Sequence, residues 1–332
     1  MYGLSPLISL CDHDNTDIVR LLMEKGADVN LSNRNGQTPL IVSCKNNNSD
    51  IVCLLIEKGV DVNVSDIYGQ TPLTLSCDNN NSDIIRLSIE KGADVNVSDI
   101  YGHTPLILSL RNENCDIIQL LIEKGADVNA SDYDGHTPLM WSCAINNSDI
   151  VRLIIEKGAS KKGADIDTSD FNGYSPLTLS FQNDNCDIVQ LLLEQGAGHN
   201  ISDKLGRTPL MWACATGNYK MVRLLIVKGE EVNVRDFEGM TALSYASKNG
   251  FLEIVEELIL NGAGVILADT NGKTPLVYAT ENKDRKIENF LSKYLYKLHI
   301  FDKKRKIYEN ETDIEVIYER AAKFIKIKNN IH

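Results

Sequence analysis

The sequence lacks the features that would assign it to several familiar functional classes. It has no apolar run approaching the roughly 18 residues of a membrane span, and no basic-then-apolar leader follows Met1. It also lacks a phosphate loop, a dinucleotide-binding glycine motif, a His-Glu-x-x-His helix, a Cys-x-x-Cys pair and a Gly-x-Ser-x-Gly elbow. We therefore expect no membrane association, no cofactor, no metal ion and no catalytic residues.

Proline is scarce, and it occurs at a single phase of a repeat. All 8 prolines stand between Ser or Thr and Leu, in a tripeptide that begins at Ser5 and recurs mostly at intervals of 33 residues. One of the nine copies, at Thr241, carries Ala242 instead of proline. A Ser or Thr side chain can cap a helix N-terminus, and proline suits the first helical position. Each tripeptide therefore predicts the start of a helix.

The stretch 101–132 shows the rest of the repeated unit. A second capping cluster at 114–116 precedes an apolar run of helical spacing over 117–122. In every unit but the ninth, glycine follows the second helix in a position that favours a left-handed terminator; these glycines are Gly26, Gly59, Gly92, Gly125, Gly158, Gly196, Gly229 and Gly262. An extended segment then leads into a turn, 132–135, with Asp first and Gly fourth, as type I turns prefer.

Two short helices and a turn cannot bury their apolar faces alone, but stacked copies can. With Thr-Pro-Leu, Gly-Ala-Asp-Val-Asn and Asp-x-x-Gly in fixed phase, the chain resembles the ankyrin repeat family over about residues 1–292. The resemblance implies an all-α solenoid of nine helix-turn-helix units with short β-turn fingers. It also implies a protein-binding module whose turn tips and first helices line a concave groove.

Two segments depart from the repeat. Five extra residues at 160–164 lengthen one interval to 38, and we interpret them as a tolerated surface loop, with a hinge or a basic contact knob as alternatives. Residues 293–332 carry ten Lys or Arg against six Asp or Glu, and a capping box at 312–315 predicts a helix there. This helical extension is either a C-terminal cap or a docking tail, and its basic run at 303–306 resembles a nuclear import signal.

Charge and cysteine placement restrict the partners and the compartment. The net charge is -12, and most recurring acids stand at helix starts and turns, although a basic partner is an alternative explanation. This charge disfavours nucleic acid as a partner. Cysteines at equivalent positions of stacked helices would lie about 8 to 10 Å apart, too far for a disulfide, so we expect free thiols, a reducing compartment and the cytoplasm. His103 and His136 we interpret as solvated loop residues.

The candidate binding residues are the large apolar side chains at the turn tips, where polar residues are usual. Rigid rings repeated on successive fingers favour an interface, although each ring could instead pack along the neighbouring finger. The tip candidates are Ile67, Tyr68, Ile100, Tyr101, Tyr133, Phe171, Tyr174, Leu205, Phe237 and Met240. Polar candidates on the first helices are Lys45, Arg111, Gln182 and Lys248. Trp141 and Trp212, also on first helices, suit either a core or an interface.

The sequence thus predicts a monomeric, non-catalytic module that binds one or more proteins through its groove. The alternative is an adaptor whose C-terminal helix recruits a second machinery, such as a ubiquitin ligase or a transport factor, while the repeats select cargo. The resemblance further implies that Asn63, Asn96 and Asn129 are candidate sites of asparaginyl hydroxylation. The richness in Asn, Ile and Lys we attribute to genome bias rather than to a physical demand.

Overall fold

A computed structural model describes residues 5–13, 15–158, 164–183, 185–198 and 201–305, and side chains only as far as residue 298. The chain divides into two compact units, Met1–Phe171 and Asn172–His332, here called unit 1 and unit 2. All regular structure in the described residues is helical. In unit 1 the helices are α1 (Pro6–Asp12), α2 (Thr16–Glu24), α3 (Pro39–Lys45), α4 (Ser49–Glu57), α5 (Pro72–Asp78), α6 (Ser82–Glu90), α7 (Pro105–Arg111), α8 (Cys115–Glu123), α9 (Pro138–Ala144) and α10 (Ser148–Gly158).

The helices of unit 2 repeat the same alternation of a short first helix and a longer second helix. They are α11 (Pro176–Gln182), α12 (Cys186–Glu194), α13 (Pro209–Thr216), α14 (Tyr219–Val227), α15 (Ala242–Asn249), α16 (Leu252–Leu260), α17 (Pro275–Glu281) and α18 (Arg285–Arg305). In each unit the first helices pack on one another in chain order, and each contacts the second helix of its own pair. The all-helical repeat architecture inferred from the sequence is confirmed.

Capping residues fix where these helices begin. Thr38 Oγ1 accepts a hydrogen bond from the backbone N–H of Ile41 (3.3 Å) at the start of α3, and Asn48 Oδ1 accepts one from Ile51 (2.9 Å) at the start of α4. The same cap recurs at Thr241, where alanine replaces the proline. Thr274 is an exception, because it begins α17 without a side-chain cap bond.

Helix ends follow the sequence pattern with one correction. The glycines after the second helices adopt positive φ, for example +91° at Gly125, because no Cβ restricts them. Gly158 does not terminate α10 as predicted, since it is the last residue of that helix. The five inserted residues that follow lie outside the described residues, apart from Ala164, so their interpretation as a loop, hinge or contact knob stays a prediction.

The last helix continues past the boundary that the sequence suggested at residue 292. Helix α18 is 21 residues long, and it includes Lys303, Lys304 and Arg305 of the basic run. Ile287, Leu291 and Leu295 are buried on one face of this helix. Lys306 and the capping box at 312–315 lie outside the described residues, so the choice between a cap and a docking tail stays open.

Candidate functional site

The finger tips are turns held by their first residue, which is an aspartate in most fingers and Asn33 in the finger of α3. In the finger of α5, Gly69 N donates to Asp66 O (3.0 Å), and Asp66 Oδ1 accepts from the backbone N–H groups of Tyr68 (2.9 Å) and Gln70 (3.0 Å). Gly69 has φ +70°, and a Cβ there would stand 3.2 Å from the Cα of Asp99 on the next finger. Backbone and aspartate thus fix the turn, and the side chains of its two central residues take no part in it.

Backbone hydrogen bonds also join each finger to the next. In unit 1, Ile100 N donates to Tyr68 O (2.9 Å), Tyr133 N to Tyr101 O (2.9 Å), and Phe171 N to Asp134 O (3.0 Å). The central residues of consecutive turns are therefore held side by side.

In these turns Asp134 is a charged central residue, and the row formed in unit 1 by the apolar central residues is strongly exposed. We call it the tip row, and it comprises Ile67 (58% exposed), Tyr68 (45%), Ile100 (41%), Tyr101 (57%), Tyr133 (71%) and Phe171 (64%). Among the described residues of unit 1, no two rings of the tip row are in contact, and the nearest ring contact joins Tyr101 to His103 at 5.9 Å. Much of the apolar surface of these side chains therefore lies in solvent, and the choice between an interface and packing along neighbouring fingers stays a prediction.

The tip candidates of unit 2 are divided between solvent and packing. Leu205 and Phe237 are 55% and 75% exposed. Tyr174 lies one residue beyond its turn and is half-buried, with its ring edge against Trp212 at 6.3 Å. Met240, which the sequence placed at a tip, is only 2% exposed, because the chain turns back toward the helix cap immediately after Gly239.

In unit 1, the contacts of Trp141 show which side of a first helix faces the fingers. Its indole Nε1 donates to Asp132 Oδ2 (3.0 Å), and its ring lies edge-on to His136 at 5.6 Å. Trp141 is half-buried and serves the finger contact rather than a closed core. In unit 2, Trp212 is also half-buried, and its ring is covered by the guanidinium of Arg207 at 4.2 Å.

The polar candidates all lie at exposed positions near the ends of first helices. Lys45 and Arg111 are the last residues of α3 and α7 in unit 1, and Gln182 is the last residue of α11 in unit 2. Lys248 lies in the last turn of α15, with its ammonium 5.7 Å from the ring centroid of Tyr278. Their exposure leaves these side chains able to meet a partner.

The two histidines are not the solvated loop residues that the sequence suggested. Both are half-buried, and His103 Nδ1 lies 3.2 Å from Asp99 Oδ2. His136 bridges two fingers, since Nδ1 is 3.3 Å from Asp132 Oδ2 and Nε2 is 3.3 Å from Asp170 Oδ2. The interpretation failed because the second aspartate belongs to a different repeat. Among the described residues no group of three His, Cys, Asp or Glu side chains is placed to hold a metal ion.

A buried carboxyl in unit 2 was not anticipated from the sequence. Glu230 is 3% exposed, and its Oε1 accepts from the backbone N–H of Leu210 (2.9 Å) in the first turn of α13. Burial raises the pKa of Glu230 to about 8, against the opposing effect of hydrogen bonds from Leu210 and Thr208. In the sequence, the only sign of this buried carboxyl is an acidic residue directly after Gly229, where other repeats carry Ala or Val.

The asparagines proposed for hydroxylation have structural roles between repeats. Asn63 Nδ2 donates to Gly92 O (3.1 Å), and its Oδ1 accepts from Asp94 N (2.8 Å). Asn96 makes the same two bonds one repeat later, and Asn129 Oδ1 accepts from Asp165 N (2.8 Å). These contacts explain why asparagine stands at this position, and hydroxylation stays a hypothesis.

The cysteines of the described residues are free, and several are deeply buried. Burial raises the pKa of the Cys44 and Cys77 thiols to about 12, so these thiols are not activated nucleophiles. In the part of the chain that the structure describes, no helix is both long and apolar enough to cross a bilayer.

Comparisons with known proteins agree with this architecture. A family model described as "Ankyrin repeats (3 copies)" matches in overlapping segments, namely residues 2–66, 63–132, 129–203, 161–236, 183–269 and 225–302. Among solved structures, the chain is similar to the ankyrin repeat domain of Bcl-3, which is described as a unique member of the IkappaB protein family. That match has 28% identity and a TM-score of 0.58, and it covers 67% of this chain and 98% of that one. No curated protein sequence matches.

Ankyrin repeats generally serve as protein–protein interaction modules and are typically not catalytic. The repeated caps, the aspartate-held fingers and the family match over most of the sequence lead to one conclusion: the chain belongs to the ankyrin repeat family.

Proposed function

We propose that the protein is a non-catalytic binding module that recognises a partner protein through its finger tips and the finger-facing side of its first helices. The observation that carries this proposal is the tip row of unit 1, in which six large apolar side chains on four consecutive fingers are 41 to 71% exposed. An apolar row held in order by backbone hydrogen bonds is the kind of surface that marks an interaction site.

The energetic basis of binding would be the removal of these side chains from water. Fully burying one large apolar side chain contributes about 1.5 to 3 kcal/mol, so a few well-packed rings suffice for a specific interface. Because the fingers are already joined by backbone hydrogen bonds, little ordering entropy opposes binding. The exposed side chains of Lys45 and Arg111 would then orient the partner.

The proposal is tested by affinity pull-down from cell lysate with the intact chain and with a variant carrying Tyr68→Ala, Tyr101→Ala, Tyr133→Ala and Phe171→Ala. We expect a partner that the intact chain retains and the variant loses, although both melt alike. The matched control replaces exposed apolar residues away from the fingers, Val227→Ala and Leu260→Ala, which are 79% and 82% exposed. Equal retention by all three proteins would remove the tip row as the recognition surface.

The second candidate function is the adaptor. It is favoured by α18, whose 21 residues make it much longer than the other second helices, and by the exposed Tyr296 on it. Deletion of residues 300–332 separates the alternatives. A docking tail predicts an unchanged melting curve and the loss of one partner, whereas a cap predicts a lower melting temperature with all partners kept.

We further propose that the chain acts as a monomer, because its charge is strongly negative and like-charged copies repel one another. Light scattering coupled to size-exclusion chromatography should give the mass of one chain, and a mass of two chains would contradict this.

A further inference from the structure

The ends of four first helices in unit 1 carry alternating charges. Asp12, Lys45, Asp78 and Arg111 are the last residues of α1, α3, α5 and α7, and all four are exposed. Since these helices pack side by side in chain order, the four side chains form a row of negative, positive, negative and positive charge, here called the charge row. The next first helix, α9, ends in the uncharged Ala144.

In the described residues of unit 1, no member of the charge row forms an ion pair. No carboxylate lies within 4.0 Å of the Lys45 ammonium or the Arg111 guanidinium, and no cation lies that close to Asp78. Asp12 Oδ1 accepts a hydrogen bond from the uncharged amide of Asn46 (3.2 Å). These four charges are therefore available to a partner.

The charge row lies on the same side of the first helices as the fingers. On α9 the residue that contacts the finger is Trp141, whose indole reaches Asp132. Ala144, at the charge-row position, comes three residues later and so shares that helix face. The tip row and the charge row overlap along α5 and α7, where they border one strip of surface, which we call the unit 1 channel.

The dimensions of the unit 1 channel suit an α-helix. The tip row lies before the N-terminus of the first helices and the charge row at their C-terminus, so a seven-residue helix of about 10 Å separates them. A helix with its side chains is about 10 to 12 Å across. Neighbouring first helices that pack together lie about 8 to 10 Å apart. A bound helix presents the same face every seven residues, or about every 10.5 Å. The long side chains of Lys45 and Arg111 can bridge the small difference between these two spacings.

We propose that the partner segment recognised by unit 1 is an amphipathic α-helix with an apolar ridge that packs on the tip row. Beside this ridge, at intervals of seven residues, it carries alternating basic and acidic side chains that pair with the charge row. This inference rests on the proposed function, because it describes the occupant of the same surface. A strand places same-side residues about 7 Å apart, which does not match the row.

The test uses two synthetic helical peptides of identical composition and net charge. Both carry the same leucine ridge, and four positions spaced by seven residues read Lys-Glu-Lys-Glu in one and Lys-Lys-Glu-Glu in the other. Binding to the full chain is measured by fluorescence anisotropy at low salt. The matched protein variant is the double swap K45D/D78K, which keeps the net charge and converts the charge row from alternating to blocked order.

We expect the intact chain to bind the alternating peptide about tenfold more tightly than the blocked one, because two attractive pairs replace two repulsive ones. The double swap should reverse this preference, and the preference should shrink in 1 M salt. The variant Y68A/Y101A should weaken the binding of both peptides equally, since both carry the same leucine ridge.

Three outcomes would overturn the inference. They are failure of both peptides to bind, equal binding of the two by the intact chain, and tighter binding of a polyproline peptide with the same charges at three-residue intervals. A fourth outcome, a peptide preference that survives the double swap unchanged, would overturn it as well. None of these results affects the lysate pull-down, which needs no helical partner, so the proposed function and this inference fail separately.

Discussion

Replacing Glu230 by glutamine should change how the stability of the protein depends on pH. The equivalent positions in other repeats hold small apolar residues, for example Val60, Ala93 and Ala126, all of them buried. Glu230 instead places a carboxyl in the same environment, with Oε1 bonded to Leu210 N and Oε2 without a partner in the described residues. Glutamine keeps the shape and the accepting oxygen but cannot ionise.

The sign of the effect follows from the raised pKa of Glu230. The folded protein holds this proton up to a pKa of about 8, whereas the unfolded chain releases it near its ordinary value of 4.5. Between those values the folded state binds more protons than the unfolded state, so the free energy of unfolding falls as pH rises. The stabilisation is fully present below about pH 4.5 and fully lost above about pH 8. A one-proton difference corresponds to about 1.4 kcal/mol for each pH unit in this window.

Urea unfolding followed by tryptophan fluorescence can measure this slope locally. Trp212 lies in α13, the helix whose first turn Glu230 contacts, and the sequence has only 2 tryptophans, so a Trp141→Phe background leaves one reporter. The quantity to compare is the difference in unfolding free energy between Glu230→Gln and its parent, from pH 5 to pH 8.5. Other groups titrate in both proteins and cancel in that difference.

We expect the two proteins to be nearly equally stable at pH 5 and the glutamine variant to be more stable by several kcal/mol at pH 8.5. Glu230→Ala, which restores the residue of other repeats, should show the same trend. Parallel stability curves for parent and variant would refute the reasoning, because they would mean that Glu230 ionises with the same pKa in the folded and unfolded states.

Three further substitutions test the internal geometry by urea or thermal unfolding. Asn96→Ala should cost about 0.5 to 1.5 kcal/mol, because it removes the two hydrogen bonds that join Asn96 to Gly125 O and Asp127 N of the next repeat, and an unchanged midpoint would contradict the bridging role. Glu113→Gly should stabilise the fold by about 1 kcal/mol, since Glu113 holds φ +53°, whereas the control Gln119→Gly, in the middle of α8, should destabilise it by a similar amount. Gly217→Ala should destabilise strongly, because φ is +81° and the new Cβ would stand 2.5 Å from the ring of Phe251; a stable variant would show that this ring moves freely.

Structural features that depend only on the residues of one repeat could be predicted from the sequence. A Thr followed by Pro needs only its own next residues to cap and begin a helix, so Thr38 and Pro39 identify the start of α3 without tertiary information. The glycine of each turn likewise reveals its left-handed conformation locally. This is why the helices, the turns and the family resemblance could all be inferred before the structure.

Structural features that depend on contacts between different repeats could not be inferred in this way. His136 pairs with an aspartate of its own finger and with one of the next, and only the stacking of repeats brings the second carboxylate near. The asparagines that link repeats were likewise not anticipated from the sequence. For example, Asn79 Nδ2 donates to Cys44 O (2.8 Å), and Asn112 Nδ2 donates to Cys77 O (2.8 Å), one repeat further along. Each amide supplies a donor to a carbonyl at the end of the preceding first helix, which is a physical demand of stacking.

The composition of the tip row is not explained by folding. In other fingers Leu205 and Phe237 are also apolar at these two turn positions, but polar residues occur there as well, namely Arg34, Asn35, Lys204, Thr270 and Asn271, all of them exposed. In those fingers the turn still closes through its first residue and its glycine, as the bonds from Gly36 N to Asn33 O (3.0 Å) and from Gly272 N to Asp269 O (3.0 Å) demonstrate.

Polar side chains are therefore sufficient for the architecture at these positions. A row of exposed rings and isoleucines lowers solubility and adds nothing to the backbone bonds that hold the fingers together. At Ile67, Tyr101 and Phe171 the aspartate, the glycine and the backbone maintain the finger without the central side chains, so under the proposed function these side chains can vary with the partner.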